Sequence, residues 1–469
     1  MMNDDSNNKL ESINKLNLIE LTGHSLSSIA PSATAALSIT LVLRVMGDES
    51  ALIFFAGGLI TLLIAIQCAL LARRYPSPGG IYAYIAKSLH PLPGLVIGFS
   101  LILVRPIAIS VLPISAGLFI GKITKLTIGY NTLNLDFIIS LLFLFMSWYV
   151  TRKGVNLSVK MAFSLELISI SIILLICSYV IYKFGLYTPD IVPQNANNIN
   201  SIIDSIMIIL FFYGGYEAAG NLSNESRHQR NGPANAMQLS VVIALLFFVF
   251  VAYAELSAFQ ENLGLFDHIA APINTIGHKI NIEYLGVISD LAVSATFFSG
   301  LIAGLNSLSR VYYDMSKNQI LPSFFSKIHE KNHTPSFAID FSAAACLVML
   351  IIKYTSGYGI LKFISIFALF GALVAVLASI LIIVSSVYAL RKSGEKKWIF
   401  YFFVSLFTVP LLSYFEFKTF NPMASNASGT ASKILLVLTI GVVLYYIIAK
   451  KFYPQYYERV LFKFKYVTV

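Results

Sequence analysis

Residues 211–217 read Phe-Phe-Tyr-Gly-Gly-Tyr-Glu inside a long apolar run. Two adjacent glycines weaken a helix by about 1 kcal/mol each relative to alanine. A carboxylate at membrane depth costs roughly 2.5–3.5 kcal/mol on insertion scales. A segment that only crossed a bilayer would carry neither. Gly214 and Gly215 suit a segment that opens its backbone to a polar solute, and Glu217 places an ionisable group beside the opening. Three further ionisable residues stand well inside apolar runs, Arg105, Glu166 and Asp290, and such residues are functional candidates by default. Arginine keeps its charge in proteins, so Arg105 needs water or an anionic partner: Glu166, Glu217, Asp290 or a substrate carboxylate. An ion pair with Lys160 or another basic residue is the structural alternative for Glu166, and capping of a half-helix is that for Glu217. Asp290, nearer the outer end of its span, reads as a vestibule or helix-pairing residue. Tyr213, Tyr216, Phe297 and Phe298 stand beside the glycines or on the eighth span, placed to line or gate a site. Ser294 and Ser299 offer oxygens to a cation or hydrogen bonds between helices.

The elements that must position these residues are membrane helices. The chain of 469 residues is 57% hydrophobic and 12% charged, about half the charge of a soluble domain. Its apolar runs are about 20 residues long, the length of a spanning helix rather than a barrel strand. Twelve spans are expected, at 18–45, 51–72, 93–121, 134–151, 159–183, 200–222, 237–258, 284–309, 337–353, 359–390, 397–413 and 433–450. With the N-terminus in the cytoplasm, 23 of the 33 Lys and Arg residues fall on the inner side and 9 on the outer, with Arg105 inside a span. That bias places both termini inside. It also accounts for the net charge of +10 without nucleic acid. The polar N-terminal stretch carries no cleavable signal. Residues 451–469 interleave Phe and Tyr with Lys and Arg and read as an anchor at the inner interface. Cys68, Cys177 and Cys346 lie in apolar runs without metal or redox spacing and read as core.

The first span holds a second irregularity, His24-Ser-Leu-Ser-Ser-Ile-Ala-Pro31-Ser-Ala-Thr-Ala. Pro31 removes a backbone donor, and small hydroxylated neighbours can re-satisfy the freed carbonyls. A proline kink with tight packing would explain this segment alone. The glycine break follows about 185 residues later, however, five helices on. Interrupted helices at matching places in two halves point to an inverted-repeat transporter site. Half-helix N-termini attract an anion and half-helix C-termini a cation. A free α-amino acid presents both charges on one carbon.

Four motifs in order carry a family resemblance. Arg73-Arg74-Tyr-Pro76-Ser-Pro78-Gly79-Gly80-Ile-Tyr82-Ala-Tyr84 resembles the Pro-x-x-Gly-Gly-x-Tyr-x-Tyr signature of the amino acid–polyamine–organocation (APC) permeases. Gly154-Val155…Ser158-Val-Lys160 resembles the entry to their fifth helix, and Gly215-Tyr216-Glu217…Glu225 their Gly-Phe-Glu…Glu motif. Ser309-Arg310-Val-Tyr-Tyr-Asp314-Met…Leu321-Pro322 resembles the loop after their eighth helix. The resemblance implies an all-α integral membrane fold of five-plus-five inverted repeats with two additional C-terminal helices, helices 1 and 6 being discontinuous. It implies a tail over 1–17, a transport core over 18–390, helices 11 and 12 over 391–450, and a second tail over 451–469. Substrate would bind at Ser27, Ser28, Ile29, Ala30, Pro31, Tyr213, Gly214, Gly215 and Phe297. Glu217, Glu166, Tyr216 and Arg105 would serve gating and proton coupling. Related transporters place a sodium site, or a lysine replacing it, near Glu166; the matching lysine position here looks like Ser169. Two departures stand out: Ser27–Pro31 replaces a Gly-Ser-Gly-like break, and Asn-Gly-Pro233 replaces a tighter Asn-Pro.

No His-Glu-x-x-His, Gly-x-Ser-x-Gly or nucleotide-binding loop is present, which argues against a membrane enzyme or a primary pump. His24 stands alone and reads as interfacial. Channel-type filter loops and charge rings are absent from the pattern. The expectation is a secondary transporter of amino acids, driven by protons or exchange, needing no cofactor or metal. It would sit as a monomer or homodimer in a bacterial inner membrane. A polyamine or other amine transporter, and a transporter-like nutrient sensor, remain alternatives.

Overall fold

The computed structural model describes residues 15–128, 135–187, 199–259, 283–356, 360–423 and 427–452. The tail assignments for 1–14 and 453–469 lie outside the described residues. The described chain is helical, with a single isolated β-bridge between Leu16 and Ser226.

The helices are α1 (Leu18–Ile29), α2 (Pro31–Met46), α3 (Ser50–Arg74), α4 (Ile81–Ser88), α5 (Pro91–Ile128), α6 (Leu135–Arg152), α7 (Val155–Phe184), α8 (Ile199–Phe212), α9 (Ala218–Asn221), α10 (Asn231–Phe259), α11 (Glu283–Lys317), α12 (Ser336–Thr355), α13 (Ile360–Lys392), α14 (Trp398–Thr419) and α15 (Ala427–Phe452). Among the described residues, ten helices are long and apolar enough to cross a membrane. The two expected spans outside those ten are the first and the sixth. Each falls on a divided segment, α1 with α2 and α8 with α9, whose pieces are 12, 16, 14 and 4 residues long.

Local chemistry explains the divisions. Asn17 caps α1 in a capping box, its side chain accepting from the Glu20 amide while Glu20 accepts from the Asn17 amide. The helix stops at Ala30, in the left-handed region at φ 53°. Pro31 then opens α2 at its first position, where a missing N–H leaves no internal bond unmade.

The most extensive packing joins α3 to α10, α11 to α5 and α7, and α5 to α6, followed by α1 to α10. Aliphatic and aromatic side chains fill these contacts, and Cys68, Cys177 and Cys346 are all buried. In α14 and α15 only 17% and 22% of the apolar window is buried. Phe407 and Val437, 79% and 69% exposed, show these two helices as a lipid-facing layer outside the α1–α13 bundle.

Candidate functional site

The two interruptions meet. Gly215 sits at φ 105°, a conformation only glycine adopts readily. A Cβ there would come within 2.6 Å of the Ser28 carbonyl oxygen. The backbone of the second interruption therefore rests directly on the end of α1. Ser25 stitches them together: its hydroxyl donates to the Tyr216 carbonyl (2.7 Å) and accepts from the Ala219 amide (3.0 Å). One α1 side chain thus satisfies two main-chain groups at the C-terminal side of the Tyr213–Glu217 turn. On another side, α11 closes on the same point. A Cβ at Gly300 would lie 3.2 Å from the Ser27 carbonyl oxygen. The Ser27 and Ser32 hydroxyls, flanking Ala30 and Pro31, are buried with no partner among the described residues. Ile29 and Ala30 are themselves buried.

Glu217 is the hinge of a polar chain. Its Oε2 accepts from the Gly215 amide (3.0 Å), and its Oε1 pairs with Arg105 Nη2 on α5 (2.7 Å). Both side chains are about 15% exposed. Arg105 Nη1 donates to Ser307 on α11 (3.1 Å), and Ser307 donates to Asn221 on α9 (2.6 Å). Asn221 Nδ2 reaches the Pro78 carbonyl between α3 and α4 (2.9 Å). Of the three side-chain candidates for Arg105, the structure pairs it with Glu217. Glu217 precedes α9 but makes no side-chain cap there; its carboxylate turns back to Gly215.

Glu166 occupies a separate position on α7 and is fully buried. Thr296 on α11 donates to its Oε1 at 3.4 Å, while Oε2 has no partner among the described residues. The backbone N–H of Ser32, near the N-terminus of α2, and the Ser299 hydroxyl also face the carboxyl. The positive end of α2 is thus directed at Glu166. Lys160 pairs instead with Glu20 at 3.6 Å, which removes the ion pair expected with Glu166. Ser169 donates to the Ala292 carbonyl (2.7 Å) and Ser299 to that of Ala162 (2.8 Å), so both link α7 to α11. Ser294 turns back to the Asp290 carbonyl within its own helix.

The aromatic candidates are dispersed. Tyr216 is buried beside the turn. Tyr213 packs edge-on against Phe248 of α10, with its hydroxyl over Gly58 of α3. Phe297 meets Phe119 of α5, and Phe298 meets Phe143 of α6, both edge-on.

Three features escaped the reading of the residues. His24 is fully buried rather than interfacial, because the first turns of α1 are enclosed by α7, α10 and α11. Glu255 on α10 is fully buried, and neither of its oxygens has a partner among the described residues. A lone carboxylate near the end of the run 237–258 was the available signal. Arg310, counted among inner-side surface charges, is buried with Glu225 at 2.7 Å. Asn306 Oδ1 accepts a further bond from Arg310 (2.9 Å), and its Nδ2 donates to Ser158 of α7 (2.9 Å). The Pro-rich and Ser-Arg motifs prove to be two halves of one contact, since Ser77, Tyr82 and Asn318 all donate to the Asp314 carboxylate. Burial and the Asp314 charge hold the Tyr82 phenol well above its ordinary range, so it stays a donor.

Comparison with known proteins gives the family. The family model described as amino acid permease matches residues 25–459. The low-affinity putrescine importer PlaP of Escherichia coli (strain K12) is 22% identical, over 68% of this chain and 70% of its own length. The serine/threonine exchanger SteT of Bacillus subtilis (strain 168) is 25% identical, over 66% of this chain and 71% of its own. The branched-chain amino acid permease BcaP of the same organism is 21% identical, over 61% and 64%.

Proposed function

The chain belongs to the amino acid permease family of integral membrane transporters, and from that premise we propose that it moves an amino acid by alternating access. In this reading α1–α2 and α8–α9 are the discontinuous first and sixth helices of a twelve-span, five-plus-five inverted repeat, with α14 and α15 added. Both termini lie in the cytoplasm of a bacterial inner membrane, as the Lys/Arg bias supports.

The observation that carries the proposal is the contact of Gly215 with the Ser28 carbonyl. Two unwound backbones in contact bring main-chain polar groups of both interruptions to one point, which suits a zwitterion. Ser27, Ser28 and the Ala30–Pro31 break supply one wall, Gly214 and Gly215 the other. Glu217 acts through Arg105 as a gate, because their pair ties the second interruption to α5 and α11. Glu166 is the proton-coupling group: buried, half-satisfied and facing both α2 and α11. Protonation there changes how firmly α7 holds the two elements that must part.

Uptake of radiolabelled amino acids into proteoliposomes, with and without a pH gradient, tests the proposal. Failure to take up or exchange any amino acid removes it. Uptake driven by a sodium gradient alone removes the role of Glu166. The putrescine importer among the relatives supports an amine as the second reading; uptake of putrescine in preference to every amino acid would establish it.

A further inference from the structure

We propose that the cavity between the C-terminal ends of α3 and α13 and the start of α10 binds the phosphate of an anionic phospholipid headgroup. The cavity encloses about 260 Å³ and is lined by Arg73, Arg74 and Arg230 with Glu395 as its single carboxylate, leaving a net charge of +2. The arginines are not equivalent. Arg74 is committed: it pairs with Glu395 and donates to the Ala389 carbonyl and the Ser393 hydroxyl, both at 2.7 Å. Arg73 makes one bond, to Asn235 Oδ1 at 2.8 Å, which orients its guanidinium and leaves further donors open. Arg230 is exposed and makes no side-chain hydrogen bond or ion pair among the described residues. Two guanidiniums without counter-charge therefore face one cavity, and guanidinium forks match phosphate oxygens.

The position of the cavity favours a lipid, because it lies at the C-terminal ends of two helices long and apolar enough to cross a membrane, α3 and α13. Leu70, Leu71 and Leu390 form its apolar side. A phosphate held by Arg73 and Arg230 therefore lies at the depth where a phospholipid carries its headgroup. Arg391, Lys392, Lys396 and Lys397 follow at the same helix end and add to the positive field.

Native mass spectrometry of the full chain in mild detergent, titrated with phosphatidylglycerol or phosphatidylethanolamine, tests this. The wild-type protein is expected to retain phosphatidylglycerol over phosphatidylethanolamine. Arg230→Gln is expected to weaken phosphatidylglycerol retention about fivefold, and R73Q/R230Q further, the loss expected for each cation facing an anionic headgroup. Phosphatidylethanolamine retention and the melting temperature should stay unchanged. Arg230 is exposed and unpartnered, so its replacement leaves the fold intact. Equal retention of the two lipids, or full retention by R73Q/R230Q, overturns the proposal. Displacement of phosphatidylglycerol by millimolar inorganic phosphate overturns the lipid assignment in favour of a soluble anion.

Discussion

Glu217 and Arg105 are about 15% exposed, too buried for either charge to stand alone without penalty. Replacing Glu217 with Gln leaves one acceptor oxygen where two are used, so either the Gly215 amide or the Arg105 guanidinium loses its partner, and the charge pairing is gone. Uptake should fall at least about tenfold, a loss of about 1.4 kcal/mol in the equilibrium that positions the turn; wild-type rates in liposomes would refute the gating role. The Arg310–Glu225 pair is more deeply placed, with both side chains at 1% exposure or less. Removing one partner strands a buried charge at a cost of about 3–5 kcal/mol. Glu225→Gln should lower the melting temperature in detergent more than the pair change E225Q/R310M. A double-mutant cycle that adds without coupling would show the two side chains to be independent. For Glu166, exchange to Gln should abolish the response of uptake to a pH gradient while sparing counterflow exchange.

At the scale of elements, the function depends on two interruptions being in register. Gly215→Ala combines a disfavoured φ with a Cβ at 2.6 Å from a carbonyl oxygen. The turn must move off α1, so transport should be lost while the α3–α10 and α11–α5 contacts keep the protein monodisperse by size exclusion. Unchanged uptake would take this contact out of the site. The break at Pro31 was legible because proline and small hydroxylated residues are local signals. So was the glycine turn. Their contact was not, because nothing in either segment encodes which face of α1 meets Gly215 across about 185 intervening residues. Likewise, the Pro-Ser-Pro-Gly-Gly and Ser-Arg motifs were visible as strings. That they converge on Asp314 follows only from α4 lying against α5 and α13 beside the end of α11.

For the whole molecule, the orientation inferred from Lys and Arg has a direct check. Cys68, Cys177 and Cys346 are all fully buried, so the wild-type chain should resist a membrane-impermeant maleimide. A cysteine replacing exposed Lys331 should react only when the reagent reaches the cytoplasmic side. Labelling from outside would invert the topology. Membrane residence, helical class, span periodicity and family were determined by the sequence alone, because hydrophobic length, charge bias and motif order are properties of neighbours along the chain. The tertiary structure decided the rest. It chose Glu217 over Glu166 and Asp290 as partner of Arg105, and it gave Lys160 to Glu20. It buried His24, Glu255 and Arg310, and it set the two backbone breaks against each other. Each of these depends on which helix faces pack together, and packing joins residues far apart in sequence through contacts that neither segment contains by itself.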